Sequence, residues 1–172
     1  ALTATAAAPV RAEIIERLGM RSPVVIVQGF DRPNLELEVT RVAGGRKGEV
    51  LTGLLPELGG PGIVYVATRK RAGEVAALLA EAGFRAAAYH AGLDGSERQH
   101  AQAAFMADEL DVIVATTAFG MGVDKPRVAF VVHWDIPGSL DAYYQQIGRA
   151  GRALERADVI ALPRPAEDTA VW

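Results

Sequence analysis

The sequence predicts an α/β domain with a mostly parallel central sheet covered by helices on both faces. Short, continuously apolar runs recur along the chain, as in Gly62-Ile-Val-Tyr-Val-Ala67, Asp111-Val-Ile-Val-Ala-Thr116 and Arg127-Val-Ala-Phe-Val-Val-His133. Strands buried on both faces read this way, whereas half-exposed strands alternate. Helical patterns separate the runs, and their carboxyl ends lead into hydroxyl, histidine or aspartate residues, where open parallel sheets keep their functional loops.

In chain order, Ile14, Ile15 and Leu18 repeat at helical spacing and Gly19 stops the pattern. Leu2-Thr3 reads as a strand end with nothing before it, as in a truncated chain. Residues 23–28, Pro-Val-Val-Ile-Val-Gln, read as a short buried strand. Phe30-Asp-Arg-Pro-Asn34 follows as an extended connector, because proline pushes the preceding residue away from helix. The main domain is therefore expected over residues 30–172, with 1–29 as a leading segment. Leu35-Glu-Leu-Glu-Val39 alternates with period two and predicts an edge strand with one wet face. Residues 41–48 read as a flexible loop, and 49–58 as a helix stopped by Gly59-Gly60-Pro61.

After the strand at 62–67, Thr68 is the expected N-cap of a helix through Leu78, Leu79 and Gly83. A second unit places a strand at 86–89, a loop at His90-Ala-Gly-Leu93, and a helix capped by Ser96 with Gln99 at capping-box spacing. The third runs from the strand at 111–116 through Thr117-Ala-Phe-Gly-Met-Gly-Val-Asp124 into the strand at 127–133. Ser139 caps the helix that carries Tyr143 to Ile147, and residues 157–162 form the last strand. Loops beginning at Thr68, His90, Thr116 and Asp135 all fall at strand carboxyl ends.

Composition narrows the chemistry. With 172 residues, half of them hydrophobic at 50%, the chain can build one sizeable core without staples. Its lack of cysteine removes disulfides, thiolate metal sites and cysteine nucleophiles, and three scattered histidines do not make a zinc cluster, so no metal site is expected. No apolar run reaches the ~18 residues of a membrane span and the alanine-rich start lacks a basic leader, so the expectation is a cytoplasmic, nucleoid-associated chain with no membrane partner. A net charge of −3 argues against coating nucleic acid by bulk electrostatics. Contact with nucleic acid would have to be local.

Tyr143-Tyr-Gln-Gln-Ile-Gly-Arg-Ala-Gly-Arg152 sets Arg149 and Arg152 three residues apart, on one face of a helical turn or its exit. Guanidinium forks give phosphate two donors and stay charged, and Gly148 and Gly151 remove side chains that would block a polyphosphate. This suits a charge clamp for phosphoryl transfer, although a solvated polar helix has the same pattern. Thr68, Arg69, Lys70 and Arg71 place a hydroxyl and three cations at a helix N-terminus, equally an ordinary cap with a basic surface. Thr116 and Thr117 followed by Gly120 and Gly122 offer hydroxyls and open amides for phosphate, or simply a glycine turn. His90 with Ala91 and Gly92 is a weaker signal, since a lone histidine at a strand end is more often structural. No Gly-x-x-x-x-Gly-Lys-Ser/Thr loop occurs, so the chain has no triphosphate cradle of its own. Asp108-Glu-Leu-Asp111 spells an acidic magnesium signature but lies before an apolar strand rather than at its end, which favours a solvated helix exit. Gly120-Met-Gly122 lacks the third glycine of a dinucleotide loop, and Lys125-Pro126 would interrupt the helix.

Taken in order, Ala1-Leu-Thr-Ala-Thr-Ala6, Phe30-Asp-Arg-Pro-Asn34, Gly62-Ile-Val-Tyr65, Ala88-Tyr-His-Ala-Gly-Leu93, Val114-Ala-Thr-Thr-Ala-Phe-Gly-Met-Gly-Val-Asp-Lys-Pro126, Val131-Val-His-Trp-Asp-Ile-Pro137 and Tyr143 to Arg152 resemble RecQ-type superfamily 2 DNA helicases. The resemblance covers nearly the whole chain and points to RecQ more than to DEAD-box RNA helicases. It implies the second of two RecA-like lobes, a three-layer sandwich, over residues 30–172, with 1–29 as the end of the first lobe and its connector. It further implies a motor lobe of an ATP-dependent 3′ to 5′ DNA helicase, with DNA, single-stranded or at a duplex junction, and the first lobe as partners.

Family roles carry over by position. Thr3, Ala4 and Thr5 match the motif coupling nucleotide state to lobe movement. Thr68, Arg69, His90, Ala91, Gly92 and Thr116 match strand-tracking loops. Gly122 and Asp124 match a loop that reaches toward the nucleotide. Gln145, Arg149 and Arg152 match the last motif, with Arg152 as the implied arginine finger. ATP with Mg2+ would be bound mainly by the first lobe, so no cofactor is expected to bind this chain tightly and the chain alone should not hydrolyse ATP. After Arg152 the family usually has Asp-Gly, whereas Ala153-Leu-Glu155 stands here. The alternative is a non-catalytic module that uses the same lobe to hold nucleic acid or a protein; an oxidoreductase on a Rossmann-like sheet has little support.

Overall fold

Six segments pair into one all-parallel sheet in the computed structural model, which describes residues 8–27, 31–43, 45–120 and 124–164. The strands are β1 (Leu35–Val39), β2 (Gly62–Tyr65), β3 (Ala86–Tyr89), β4 (Val112–Ala115), β5 (Phe130–His133) and β6 (Ala157–Ala161), in spatial order β1-β6-β5-β2-β4-β3. Every neighbouring pair is parallel, so all carboxyl ends share one edge. The helices that belong with them are α2 (Lys47–Leu54), continued by a 3-10 turn at Leu55–Glu57, α3 (Arg69–Glu81), α4 (Gly95–Met106) and α5 (Leu140–Ile147).

The period of two along each strand sorts the core into two layers. Val64, Val112, Val114, Phe130, Val132 and Ile160 face one way and pack with Leu51 of α2 and with Ala72, Val75, Ala76 and Leu79 of α3. Ile63, Tyr65, Ile113, Ala115, Val131 and Val159 face the other way, toward Phe105 of α4 and Ile147 of α5. The result is the expected three-layer sandwich. Its centre is tight at Gly62, where an added methyl would lie 2.2–2.3 Å from three carbons of the Phe130 ring. Gly62→Ala is therefore expected to destabilise the domain by about 2 kcal/mol through overpacking, measured by urea unfolding.

Caps fix where the helices begin. Thr68 Oγ1 accepts from Arg71 N at 3.2 Å and Ser139 Oγ accepts from Ala142 N at 3.1 Å, both as the sequence predicts. α4 differs, because its cap is Asp94 and not Ser96. Asp94 is extended, at φ −67° and ψ 172°; its carboxylate accepts from Glu97 N while the Glu97 carboxylate accepts from Asp94 N. Ser96 already lies inside the helix and donates to Asp94 Oδ1 at 2.8 Å. These bonds, led by the one from Glu97 N, hold the Asp94 carboxyl below its usual pKa.

Two further expectations are corrected. The stretch 41–48 is not simply loop, since α2 starts at Lys47, and Val42 and Lys47 are buried at 4% and 5% exposure. Lys47 Nζ donates to the carbonyl of Trp134. β1 is an edge strand, but its apolar side is open too, with Leu37 and Val39 exposed.

The chain divides into two compact units, Ala1–Pro33 and Asn34–Trp172. In the first, α1 (Ala8–Arg17) carries the predicted helical repeat and Gly19, at φ 59°, takes the left-handed conformation that ends it. Residues 23–27 form no strand, and Val24 and Ile26 are 87% and 82% exposed. A strand needs a neighbour's amides and carbonyls, and no strand occurs among the described residues of this unit. Thr3, Ala4, Thr5, Gln28, Phe30 and Gly122 lie outside the described residues. No described helix is long and apolar enough to cross a membrane.

Candidate functional site

Register places Tyr89, Ala115, Tyr65, His133, Ala161 and Val39 in one row at the carboxyl edge of the sheet. The loops that follow this row hold the residues that the resemblance assigns to tracking a strand. Thr68, Arg69, Ala91 and Gly92 are exposed, while His90 and Thr116 are half-buried. Arg69 reaches across to the β3 loop: a methyl on Gly92 would meet Arg69 Cδ at 3.0 Å and Nη1 at 3.2 Å. His90 Nδ1 accepts from Gly92 N at 3.2 Å, which closes that loop. Asp135 Oδ2 accepts from Ala67 N at 2.9 Å and ties the β5 exit to the β2 exit.

The loop after Thr116 is less open than its sequence suggests. Thr116 Oγ1 accepts from Ala118 N at 3.4 Å and Thr116 O accepts from Phe119 N at 3.0 Å. Two amides expected for an anion are thus engaged in the turn itself.

Arg149 and Arg152 lie at the exit of α5, not within it, because the helix ends at Ile147 with Gly148 as its cap. Their side chains go to different partners. Arg152 pairs with Asp124 and its Nε donates to Gly148 O at 3.3 Å. The Arg152 and Asp124 side chains are 38% and 81% exposed, so solvent screens the pair and Asp124 can release the guanidinium. Arg149 lies over Gly120, where an added methyl would sit 2.5 Å from Nη2, and its positive charge offsets part of the rise that burial gives the Tyr65 pKa.

Backbone bonds fasten this turn to the stretch before β5: Gly151 N donates to Val128 O at 2.9 Å and Ala153 N to Pro126 O at 3.0 Å. Asn34 clamps it from the other side, donating to Gly151 O at 2.7 Å and Leu154 O at 3.0 Å. The two glycines serve this packing rather than an open approach for polyphosphate. A methyl on Gly148 would meet Tyr144 O at 3.0 Å, and Gly151 combines φ +65° with a site 2.7 Å from Asn34 Nδ2. Gly151→Ala is expected to cost about 2 kcal/mol from backbone strain and the displaced Asn34, read as a lower urea midpoint at constant slope.

Gln145 is exposed on α5, whereas its neighbour Gln146 is 8% exposed and its Oε1 meets His133 Nε2 at 2.8 Å. His133 is fully buried, and burial lowers its pKa to about 4, so it is neutral at pH 7. Its Nε2–H donates to Gln146, which leaves the Nδ1 lone pair without a partner. The ring stacks on Tyr65 at 5.8 Å and tilts against Tyr143 at 5.0 Å. Burial raises the Tyr65 pKa to about 12, keeping the hydroxyl protonated, and it donates to Phe119 O at 3.2 Å. Sequence reasoning missed Tyr65, His133, Gln146 and Asn34. The one signal available was polar side chains closing two apolar strands in the same register.

Asp108 and Asp111 are occupied elsewhere. Asp111 pairs with Arg85 and Asp108 with the buried Lys125 at 2.7 Å, and each partner holds its carboxyl below the usual range. This acidic stretch sits at the amino ends of β4 and β5, away from the row that carries the site.

The helicase conserved C-terminal domain family matches residues 46–154. The chain is 43% identical over 167 residues to an ATP-dependent DNA helicase RecQ of Pasteurella multocida, an alignment covering 97% of this chain and 26% of that protein. It is 42% identical over 153 residues to the ATP-dependent helicase SGS1 of Saccharomyces cerevisiae, covering 88% of this chain and 11% of that one. The chain thus spans about a quarter of the first of these relatives and about a tenth of the second. Among solved structures, the E. coli DEAD-box protein SrmB superposes with a TM-score of 0.74 at 29% identity, covering 82% of this chain and 83% of that one. A DEAD box protein from Methanococcus jannaschii gives 0.71 at 27% identity, covering 77% of this chain and 37% of that one.

Proposed function

Since the chain belongs to the helicase conserved C-terminal domain family, as a RecQ-type second RecA-like lobe, we propose that it is the C-terminal motor lobe of an ATP-dependent 3′ to 5′ DNA helicase. ATP and Mg2+ bind mainly on the preceding lobe, and the chain alone does not turn ATP over. Arg152 reaches the γ-phosphate as the finger, while Arg149 is its neighbour in the interlobe network; Asp124 and Gly122 flank the nucleotide and Gln145 belongs to the same motif. Thr68, Arg69, His90, Ala91, Gly92 and Thr116 contact one DNA strand through its backbone.

The observation that carries this reading is mechanical. The arginine turn is bonded to residues 126 and 128 and Arg149 lies on Gly120, so the turn that carries both cations is tied to Gly120 and to the stretch before β5. A shift of the finger on hydrolysis therefore shifts the strand-tracking edge. Asp124 shields Arg152 until a phosphate of higher charge replaces it, which suits a finger supplied from across a cleft.

The test is ATP hydrolysis with and without single-stranded DNA, in a protein carrying both lobes. DNA-stimulated turnover by the pair and none by this lobe alone is expected. Tight DNA binding by a two-lobed protein without turnover would overturn the motor reading in favour of a binding module.

A further inference from the structure

Two carbonyl oxygens on either side of Arg152 share one donor group. Asn34 Nδ2 donates to Gly151 O at 2.7 Å and to Leu154 O at 3.0 Å, which uses both hydrogens of the carboxamide. The residue type matters here. A serine has one hydrogen to give, and an aspartate of the same shape has none and would set a carboxylate against two carbonyls. The Asn34 carbonyl accepts from Ala157 N at 2.9 Å, at the start of β6, which holds the residue in place.

The Gly151 carbonyl belongs to the planar peptide unit that ends in Arg152 N, so its direction sets the direction in which Arg152 leaves the chain. Gly151 is buried and left-handed, at φ 65°, with no room for a side chain beside Asn34 Nδ2. Gly151 N and Ala153 N are bonded to Val128 O and Pro126 O, before β5. Asn34 holds the carbonyls. The main chain around Arg152 is therefore gripped through its donors and its acceptors alike, while the Arg152 side chain stays 38% exposed and pairs with Asp124. Asn34 is also the first residue of the larger unit, Asn34–Trp172, so the chain enters that unit at the arginine turn.

We propose that Asn34 is a positioning residue for the motor reaction, its carboxamide fixing the Gly151–Arg152 peptide unit and with it the point from which the Arg152 guanidinium reaches the nucleotide. The inference rests on the motor-lobe reading. A guanidinium on a loosened peptide unit spends less time in the productive geometry, which predicts a roughly ten-fold fall in DNA-stimulated kcat for Asn34→Asp, with the KM for ATP little changed.

A double-mutant cycle separates this from a general loss of structure. In a protein carrying both lobes, Asn34→Asp is expected to have no further effect once Arg152 is alanine; an equal fall in both backgrounds, or none in the first, overturns the proposal. Asn34→Ala, which removes both donors without adding charge, carries the same expectation and replaces Asn34→Asp should that variant not fold. A second readout needs no hydrolysis. In the chain itself, either substitution should move the backbone amide resonance of Arg152 while the amides of β2, β3 and β4 stay in place, and an unmoved Arg152 amide overturns the proposal. If the two-lobed wild type shows no DNA-stimulated turnover, the motor reading fails, and the Arg152 resonance still decides whether Asn34 sets that peptide unit.

Discussion

Arg152→Ala, in a protein carrying this lobe together with the preceding one, is expected to lower DNA-stimulated ATP turnover by about 10³-fold, the scale of a trans-acting finger. The loss should fall on kcat, because the guanidinium acts on charge that develops as the phosphoryl group leaves, so ATP binding persists. Folding should be nearly untouched. The Arg152 side chain is 38% exposed, and its turn is held by main-chain bonds from Gly151 and Ala153 and by Asn34, none of which involves the guanidinium. Arg152→Lys keeps the charge but loses the planar fork, so it should recover only part of the rate. Stopped-flow release of phosphate checks all three proteins, and an unchanged rate for alanine removes Arg152 from the finger role.

Acidification from pH 7 to pH 4 is expected to lower the stability of the chain by about 3 kcal/mol through His133 alone. Its pKa falls from the ordinary 6.5 to about 4 because the ring is buried. One pKa unit is worth about 1.4 kcal/mol. Between those two values the unfolded chain binds a proton that the folded chain refuses, so stability is fully present above pH 6.5 and declines as pH falls toward 4. The lowered carboxylates Asp94, Asp108 and Asp111 act the same way but only below their ordinary value of 3.8, which leaves the upper window to the histidine. Urea unfolding across pH 4 to 7 measures the slope. In His133→Asn the slope in this window should flatten, even though the variant starts less stable; a slope unchanged by the substitution would assign the effect to other groups.

Much of the fold was legible because burial on both faces leaves a plain mark. The apolar runs at β2, β4, β5 and β6 could only be interior parallel strands, and hydroxyl residues at 68 and 139 announced the helices after them. Where expectation failed, the deciding partner lay far along the chain. Residues 23–27 have the composition of a strand, but no strand occurs among the described residues of their unit for them to pair with. The cap of α4 passed from Ser96 to Asp94 because an N-cap must be extended, and conformation is not written in residue type. Lys47 reads as surface charge until the Trp134 carbonyl, 87 positions away, draws it inside.

By itself the sequence determined the parallel α/β sandwich, the loops at its carboxyl edge and the identity of the motif that carries Arg149 and Arg152. It could do so because these depend on periodicity and on residues close together in the chain. Only the tertiary structure decided how those arginines are held: Asp124 takes one, the other lies over Gly120, and His133 with Gln146 sets the helix beneath them. Strand order brings β2 and β5 side by side although 64 positions separate the close of β2 from the start of β5, and hydrogen bonds across that distance leave no periodic trace.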